Sequence, residues 1–282
     1  MFKNQRQLKI FLSVLFVFIV GVFIARSFLS HRDGLPQTKE APYPIVPAVS
    51  APLSLEPKTS MSSVPRMAII LDDWGENFGL TRQAVEIGRP LTLSVLPHLR
   101  YSRKIAEEAH KNGLGVMLHM PMEPQKAREH MEPQTILTTT TDVDVLRYLD
   151  EALGSVPYAE GVNNHTGSKA TTDVRVMRLV LGRLKESGLF FVDSFVIATT
   201  TGPSVAKEVG IPFSRRDVFI DNVVEVETIK AQLRKAIQKA LANKTAIAIG
   251  HDKRPTLQAI AQMIPEIEKA GVKLVLAEDL VR

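Results

Sequence analysis

From Met67 onward, brief apolar runs rich in β-branched residues alternate with stretches whose apolar residues recur at helical spacing, and this alternation restricts the fold more than any other feature. The runs fall at 67–71, 91–96, 115–118, 161–163, 189–192, 246–249 and 273–276, with a weaker one at 212–219, and Gly, Pro or Asp bounds them. They are too short for helices and largely apolar, so they read as strands buried on both faces. Between them, Val174, Met177, Val180, Leu181 and Leu184 form one stripe, and Ile229, Leu233, Ile237 and Leu241 a second. Leu257, Ile260, Ile264 and Ile267 form a third, and each stripe lies opposite a charged face. Strands alternating with such helices imply a parallel sheet, and about seven to eight of them suit an irregular (β/α) barrel over residues 67–282. An open doubly wound sheet is the alternative. The first run leads into LDDWGEN rather than a glycine-rich dinucleotide loop, which counts against a Rossmann domain.

The preceding residues have a different composition. Positions 10–25 read IFLSVLFVFIVGVFIA, with Lys3, Arg6 and Lys9 before them and Arg26 after. Extended to 10–29, this stretch is expected to be a single transmembrane helix that anchors the chain; a cleaved signal peptide is the competing reading, although no small-x-small site follows. The leading cations place residues 1–9 in the cytoplasm and everything after Arg26 in the periplasm. Residues 30–66 contain Pro36, Pro42, Pro44, Pro47, Pro52, Pro57 and Pro65 and lack any strand or helix period, as a linker would. Stretched, such a tether reaches roughly 100 Å, which suits a target in the cell wall.

Charge and cysteine usage narrow the function. The formal net charge of +5 sits entirely in residues 1–66, which hold eight Lys and Arg against three Asp and Glu, so residues 67–282 are neutral and no nucleic-acid partner is implied. There is no cysteine, hence no thiolate metal site and no cysteine nucleophile.

In a parallel β/α fold, functional groups gather just past the C-terminal ends of the strands. Asp72 and Asp73 follow the first run, His98 the second, His119 and Glu123 the third, Asn163, Asn164 and His165 end the fourth, Asp193 and Ser194 follow the fifth, and His251 and Asp252 the seventh. Aspartate and neutral histidine are ligands for a divalent ion such as Zn²⁺, which acidifies water and polarises a carbonyl. A carboxylate beside the ion would take the proton. Successive strand residues point to opposite faces, so Asp72 and Asp73 can share one cavity only where the backbone is irregular. Each residue also has a plainer reading: Asp72 and Asp73 as a helix cap or turn, the asparagines and His165 as loop hydrogen-bonders, His251 as a partner of Asp252, and Trp74 as core.

The stretches IILDDWG, TLSVLPH, GVMLHMPMEP, GVNNHTGS, GLFFVDS, RDVFIDN and AIAIGH together resemble the divergent polysaccharide deacetylase family, carbohydrate esterase-like β/α barrels that remove acetyl groups from polysaccharides. The resemblance implies Asp72 as general base, Asp73 and His119 as metal ligands, and His251 as acid or oxyanion partner. It departs from the wider pattern at Glu123, where a second metal histidine is usual, and at Asn163, Asn164 and His165, which replace an arginine-containing loop. His165 is therefore expected to complete the ligand set Asp73, His119 and His165, with Glu123 as an alternative ligand. Glu123, Asn163, Asn164 and Asp193 are expected to contact substrate or orient the ligands. The implied function is a metal-dependent deacetylase, zinc foremost, acting on peptidoglycan or another N-acetylated envelope glycan. The alternative is a silent barrel that binds glycan or an envelope protein as a scaffold.

Overall fold

The computed structural model describes residues 64–126 and 131–281. The expected cytoplasmic N-terminus, the membrane segment and all but the last residues of the linker lie outside them. Among the described residues, no helix is long and apolar enough to cross a membrane.

Among the described residues, nine strands and seven α-helices follow one another in the expected alternation. β1 (Arg66–Trp74), β2 (Thr92–Val95), β3 (Gly115–Met122), β4 (Gly161–Thr166) and β5 (Phe190–Asp193) are separated by α1 (Phe78–Glu86), α2 (Ser102–Lys111), α3 (Asp142–Ser155) and α4 (Val174–Glu186). Then come α5 (Gly202–Val209), β6 (Phe213–Arg215), β7 (Val218–Phe219), α6 (Val226–Asn243), β8 (Thr245–His251), α7 (Arg254–Lys269) and β9 (Lys273–Val275). Every ladder is parallel, and the path β6-β5-β4-β3-β2-β1-β8-β7 holds eight strands. β9 pairs with the first residues of β1, on the edge that β2 takes over from Ile70 onward.

The two ends of that path are successive pieces of one segment. Arg216 N–H donates to Asp193 O, whereas Asp217 N–H donates to Ile247 O, so residues 213–220 pair first with β5 and then with β8. The weak run at 212–219 is thus two short strands rather than one, and the eight strands form a parallel half-barrel whose two ends meet in this segment.

Strand alternation divides the core in two. Met67, Ile69 and Leu71 pack with the helices, while Ala68 and Ile70 belong to an inner cluster with Met117, Phe190, Val192, Ile247 and Ile249. Ala277 and Leu280 of the C-terminal 3₁₀ turn join this inner cluster, and Ala277 N–H donates to Thr92 Oγ1. The three helical stripes lie against the sheet as expected, except at Val174 and Leu241, which are exposed near the ends of their helices.

Gly161 opens β4 opposite Phe190, and a methyl group there would run into the buried Phe190 ring. Gly161→Ala is expected to lower stability by about 1–3 kcal/mol through overpacking. Urea denaturation checks this; an unchanged midpoint would show that the ring yields freely.

Candidate functional site

The inner register of the strands decides which side chains meet above the inner cluster. Asp72 continues the face of Ala68 and Ile70, His119 that of Met117, and His251 that of Ile247 and Ile249. On β4, Val162 packs toward the helices, so Asn163 and His165 face inward. Asp73 falls on the wrong parity and is rescued by its backbone. Its φ is +66°, and the β1–β2 register shifts between Leu71 and Trp74. This left-handed residue is the irregularity that lets adjacent aspartates address one cavity. Trp74 then returns to the ladder fully buried, as a core residue.

Three ligand-type atoms converge. Asp73 Oδ1 lies 3.3 Å from His119 Nε2 and 3.1 Å from His165 Nδ1, and the two ring nitrogens are 3.1 Å apart. Asp73, His119 and His165 each offer an atom within 4.8 Å of the others. Asp72 Oδ2 is 3.7 Å from His119 Nε2.

Asn163 sets the proton positions. Its Nδ2 donates to Asp72 Oδ1 at 2.9 Å, so its Oδ1 is left as acceptor, and it receives Ser94 Oγ–H and His119 Nδ1–H at 2.5 and 2.7 Å. With Nδ1 carrying that proton, His119 presents the Nε2 lone pair to the cluster. The two inner ring nitrogens are 3.1 Å apart beside a carboxylate, and if both presented lone pairs they would repel unless a proton or cation sat between them. An N₂O set of this kind is suitable for a divalent ion, with positions left for water or substrate. The residues present therefore fit a metal.

Asp221 does for His251 what Asn163 does for His119. Its Oδ1 faces His251 Nδ1 at 2.8 Å, while Oδ2 accepts both His251 N–H and Thr256 Oγ–H at 2.8 Å. His251 Nε2 is thereby turned toward Asp73 Oδ2, 3.8 Å away. Asp252, the partner of His251 in the plainer reading, instead gives its backbone N–H to Asp72 O.

Burial and mutual charge shift these groups. Desolvation raises Asp72 despite the attraction of His119 and the Asn163 hydrogen bond. It acts on Asp73 in the same sense, but bonds from His119 and His165 outweigh it and hold Asp73 far below the usual carboxylate range. His119, which burial alone would lower, is pushed up to about 9 by Asp72, Asp73 and Asn163. Burial also opposes charge on His251, and Asp221 reverses that, leaving it raised. Burial and the neighbouring Asp73 push Asp252 up to about 7.

Three expected residues stay outside the cluster. Glu123 accepts from Thr138 N and Oγ1 and pairs with Lys169 Nζ at 2.7 Å, so it pins two loops and is no alternative ligand. Asn164 has the opposite parity to Asn163 and ties β4 to Ser194, whose N–H and Oγ–H it accepts. Asp193 likewise alternates away from inward-facing Val192; its carboxylate accepts from Phe195 N and Thr200 Oγ1. Ser94, Glu132 and Asp221 are the contributors that strand-end reading missed. Ser94 was recoverable from parity within its strand. Asp221 lies two residues past the short strand β7, and Glu132 stands in a long loop with no periodic signal.

In the metal-free protein, His119 and His251 bind protons more tightly folded than unfolded. The stability they supply is complete below the ordinary histidine value of 6.5, and the part from His119 is lost as pH rises through about 9. Chelator-treated protein should therefore show a urea midpoint that falls from pH 6.5 toward 9, with His119→Gln flattening the upper part. A midpoint that climbs over this range would contradict the assignment.

Comparison with known proteins places this geometry in a lineage. A profile of the divergent polysaccharide deacetylases matches residues 69–281. The uncharacterised protein YibQ of Escherichia coli K12 is 32% identical over 199 residues, covering 71% of this chain and 62% of that relative. An uncharacterised protein of Haemophilus influenzae Rd is 32% identical over 204 residues, covering 71% and 72%. The chain thus spans less than two thirds of the length of the E. coli relative. Among solved structures, an uncharacterised protein from Agrobacterium tumefaciens C58 shares the fold with a TM-score of 0.74 at 22% identity, over 79% of this chain and 92% of that one. The catalytic domain of a peptidoglycan N-acetylglucosamine deacetylase from Eubacterium rectale shares it at a TM-score of 0.50 and 15% identity, over 76% and 89%. With its matched region running from β1 to the C-terminal turn, the chain belongs to the divergent polysaccharide deacetylase family.

Proposed function

We propose that this protein is a metal-dependent hydrolase that removes acetyl groups from an N-acetylated glycan of the cell envelope. The observation that carries the reading is the convergence of Asp73 Oδ1, His119 Nε2 and His165 Nδ1 beside a buried second aspartate. Those three residues would hold the ion, which as a Lewis acid acidifies water and polarises an acyl carbonyl.

The chain's own groups divide the proton work. Asp72 is the base. Burial raises its proton affinity, and Asn163 occupies Oδ1, so Oδ2 is the atom left to take a proton from water. His251 is the acid: its Nδ1 is held by Asp221, and Nε2 delivers a proton to the departing amine nitrogen. Asn163 keeps the base and a ligand in register by bonding both.

The envelope assignment rests on the N-terminal sequence. Residues 10–29 anchor the chain in the cytoplasmic membrane, residues 30–65 tether it, and the catalytic domain stands in the periplasm facing peptidoglycan. The Eubacterium rectale protein of similar fold is named for action on that polymer, and this chain is proposed to act on the same class of substrate.

Purified protein should contain about one equivalent of divalent metal and release acetate from N-acetylated glycan. Asp73→Ala and His119→Ala are expected to lose the metal. Asp72→Asn should keep it and lower kcat by roughly 10²–10⁴-fold. Glycan binding that survives chelation, without acetate release and without any effect of Asp72→Asn, would identify a scaffold instead and overturn the proposal.

A further inference from the structure

Each of the three imidazoles in the site has one nitrogen turned inward and one turned away. For His119 the outer nitrogen meets Asn163 Oδ1, and for His251 it meets Asp221 Oδ1, both acceptors supplied by strand ends or the segments just beyond them. His165 differs. Its Nδ1 faces Asp73 and His119, while its outer Nε2 is buried, makes no well-directed hydrogen bond, and has Glu132 Oε1 3.2 Å away. A buried ring N–H left without an acceptor is destabilising, so the position of this carboxylate is consequential.

Glu132 is held where it stands. Its carbonyl accepts Thr135 N–H at 3.2 Å and Thr135 Oγ–H at 2.6 Å, closing a turn. The next residue of that turn on the C-terminal side, Ile136, bridges to the end of β3 through Glu123 N–H to Ile136 O and Ile136 N–H to Pro121 O. The loop is thus sewn to the strand that carries His119, and it presents Glu132 to the outer edge of His165 on the neighbouring strand. Because Oε1 addresses the far side of the ring from Nδ1, the same carboxylate oxygen is not one of the converging ligand atoms.

We infer that Glu132 is a positioning residue for His165: its carboxylate takes the Nε2–H, so that Nδ1 is the lone pair offered to the ion. The inference rests on the metal-centre reading of the proposed function. A carboxylate behind a ligand imidazole fixes the tautomer and the ring orientation and increases ligand basicity, and loss of such a partner weakens metal affinity by about 10–100-fold. It also gives Glu132, in the β3–α3 connection, a task that the sequence does not advertise.

The test is Zn²⁺ affinity of the full chain, measured by competition with a chromophoric chelator, with the His165 tautomer read from imidazole ¹⁵N shifts. Glu132→Ala is expected to weaken Zn²⁺ binding by about 10–100-fold and to remove the preference for the Nε2–H form. Glu132→Gln, which keeps an oxygen acceptor and the turn, should retain most of the affinity and the same tautomer. In a His165→Ala background, Glu132→Ala should cost nothing more, because the pathway through the ring is gone. Wild-type affinity in Glu132→Ala, or an equal loss in both backgrounds, would overturn the inference while leaving the metal centre standing. If the wild type itself fails to bind Zn²⁺, the proposed function falls and this role falls with it.

Discussion

Two neighbouring carboxylates at the end of a buried strand repel each other and point to opposite faces, so holding both at one cavity demands a backbone that breaks the alternation and partners that neutralise the charge. The left-handed conformation of Asp73 meets the first demand. A non-glycine residue in that region costs on the order of 1–3 kcal/mol, and it persists only where its surroundings over-determine it. Here they do. Two imidazole nitrogens lie within 3.3 Å of Asp73 Oδ1, and the ladder resumes at Trp74 with a fully buried side chain that locks the segment on its far side.

The second demand is met by a network in which each group fixes the next. Asn163 has one donor and one acceptor side engaged at once, Asp72 on the first and His119 with Ser94 on the second. An amide can serve both only in one orientation, so the protonation of His119 follows from the charge of Asp72. Asp221 acts in parallel on His251, and its second oxygen is tied to Thr256 at the start of α7. Such a network is stiff because a partner lost anywhere leaves a buried polar atom unpaired. Stiffness of this kind suits a site whose donors must be in place before a cation or substrate arrives.

The strands and the order of elements were legible because a buried parallel strand needs a short apolar run, and such runs are visible without knowledge of their neighbours. The gathering of Asp72, His119, Asn163, His165 and His251 was legible from the same runs, since strand ends in this topology share one rim. Parity was present in the sequence too, and it separates inward Asn163 from outward Asn164, and inward Val192 from outward Asp193. Glu123 shows where strand logic stops. It has the inward parity of His119, but the chain leaves the strand before it, and Lys169 and Thr138 claim its carboxylate.

By itself, then, the sequence determined the parallel β/α class, the rim on which the chemistry lies and the need for an irregular residue between Asp72 and Trp74. Those follow from periodicity and from the two-residue repeat of a strand, both of which are local. Only the tertiary structure decided which acceptor stands behind each imidazole, that Asp221 rather than Asp252 holds His251, that Glu132 reaches His165, and that residues 213–220 serve two strands in turn. Those depend on distances between segments tens of residues apart, set by how loops are pinned and not by any spacing along the chain.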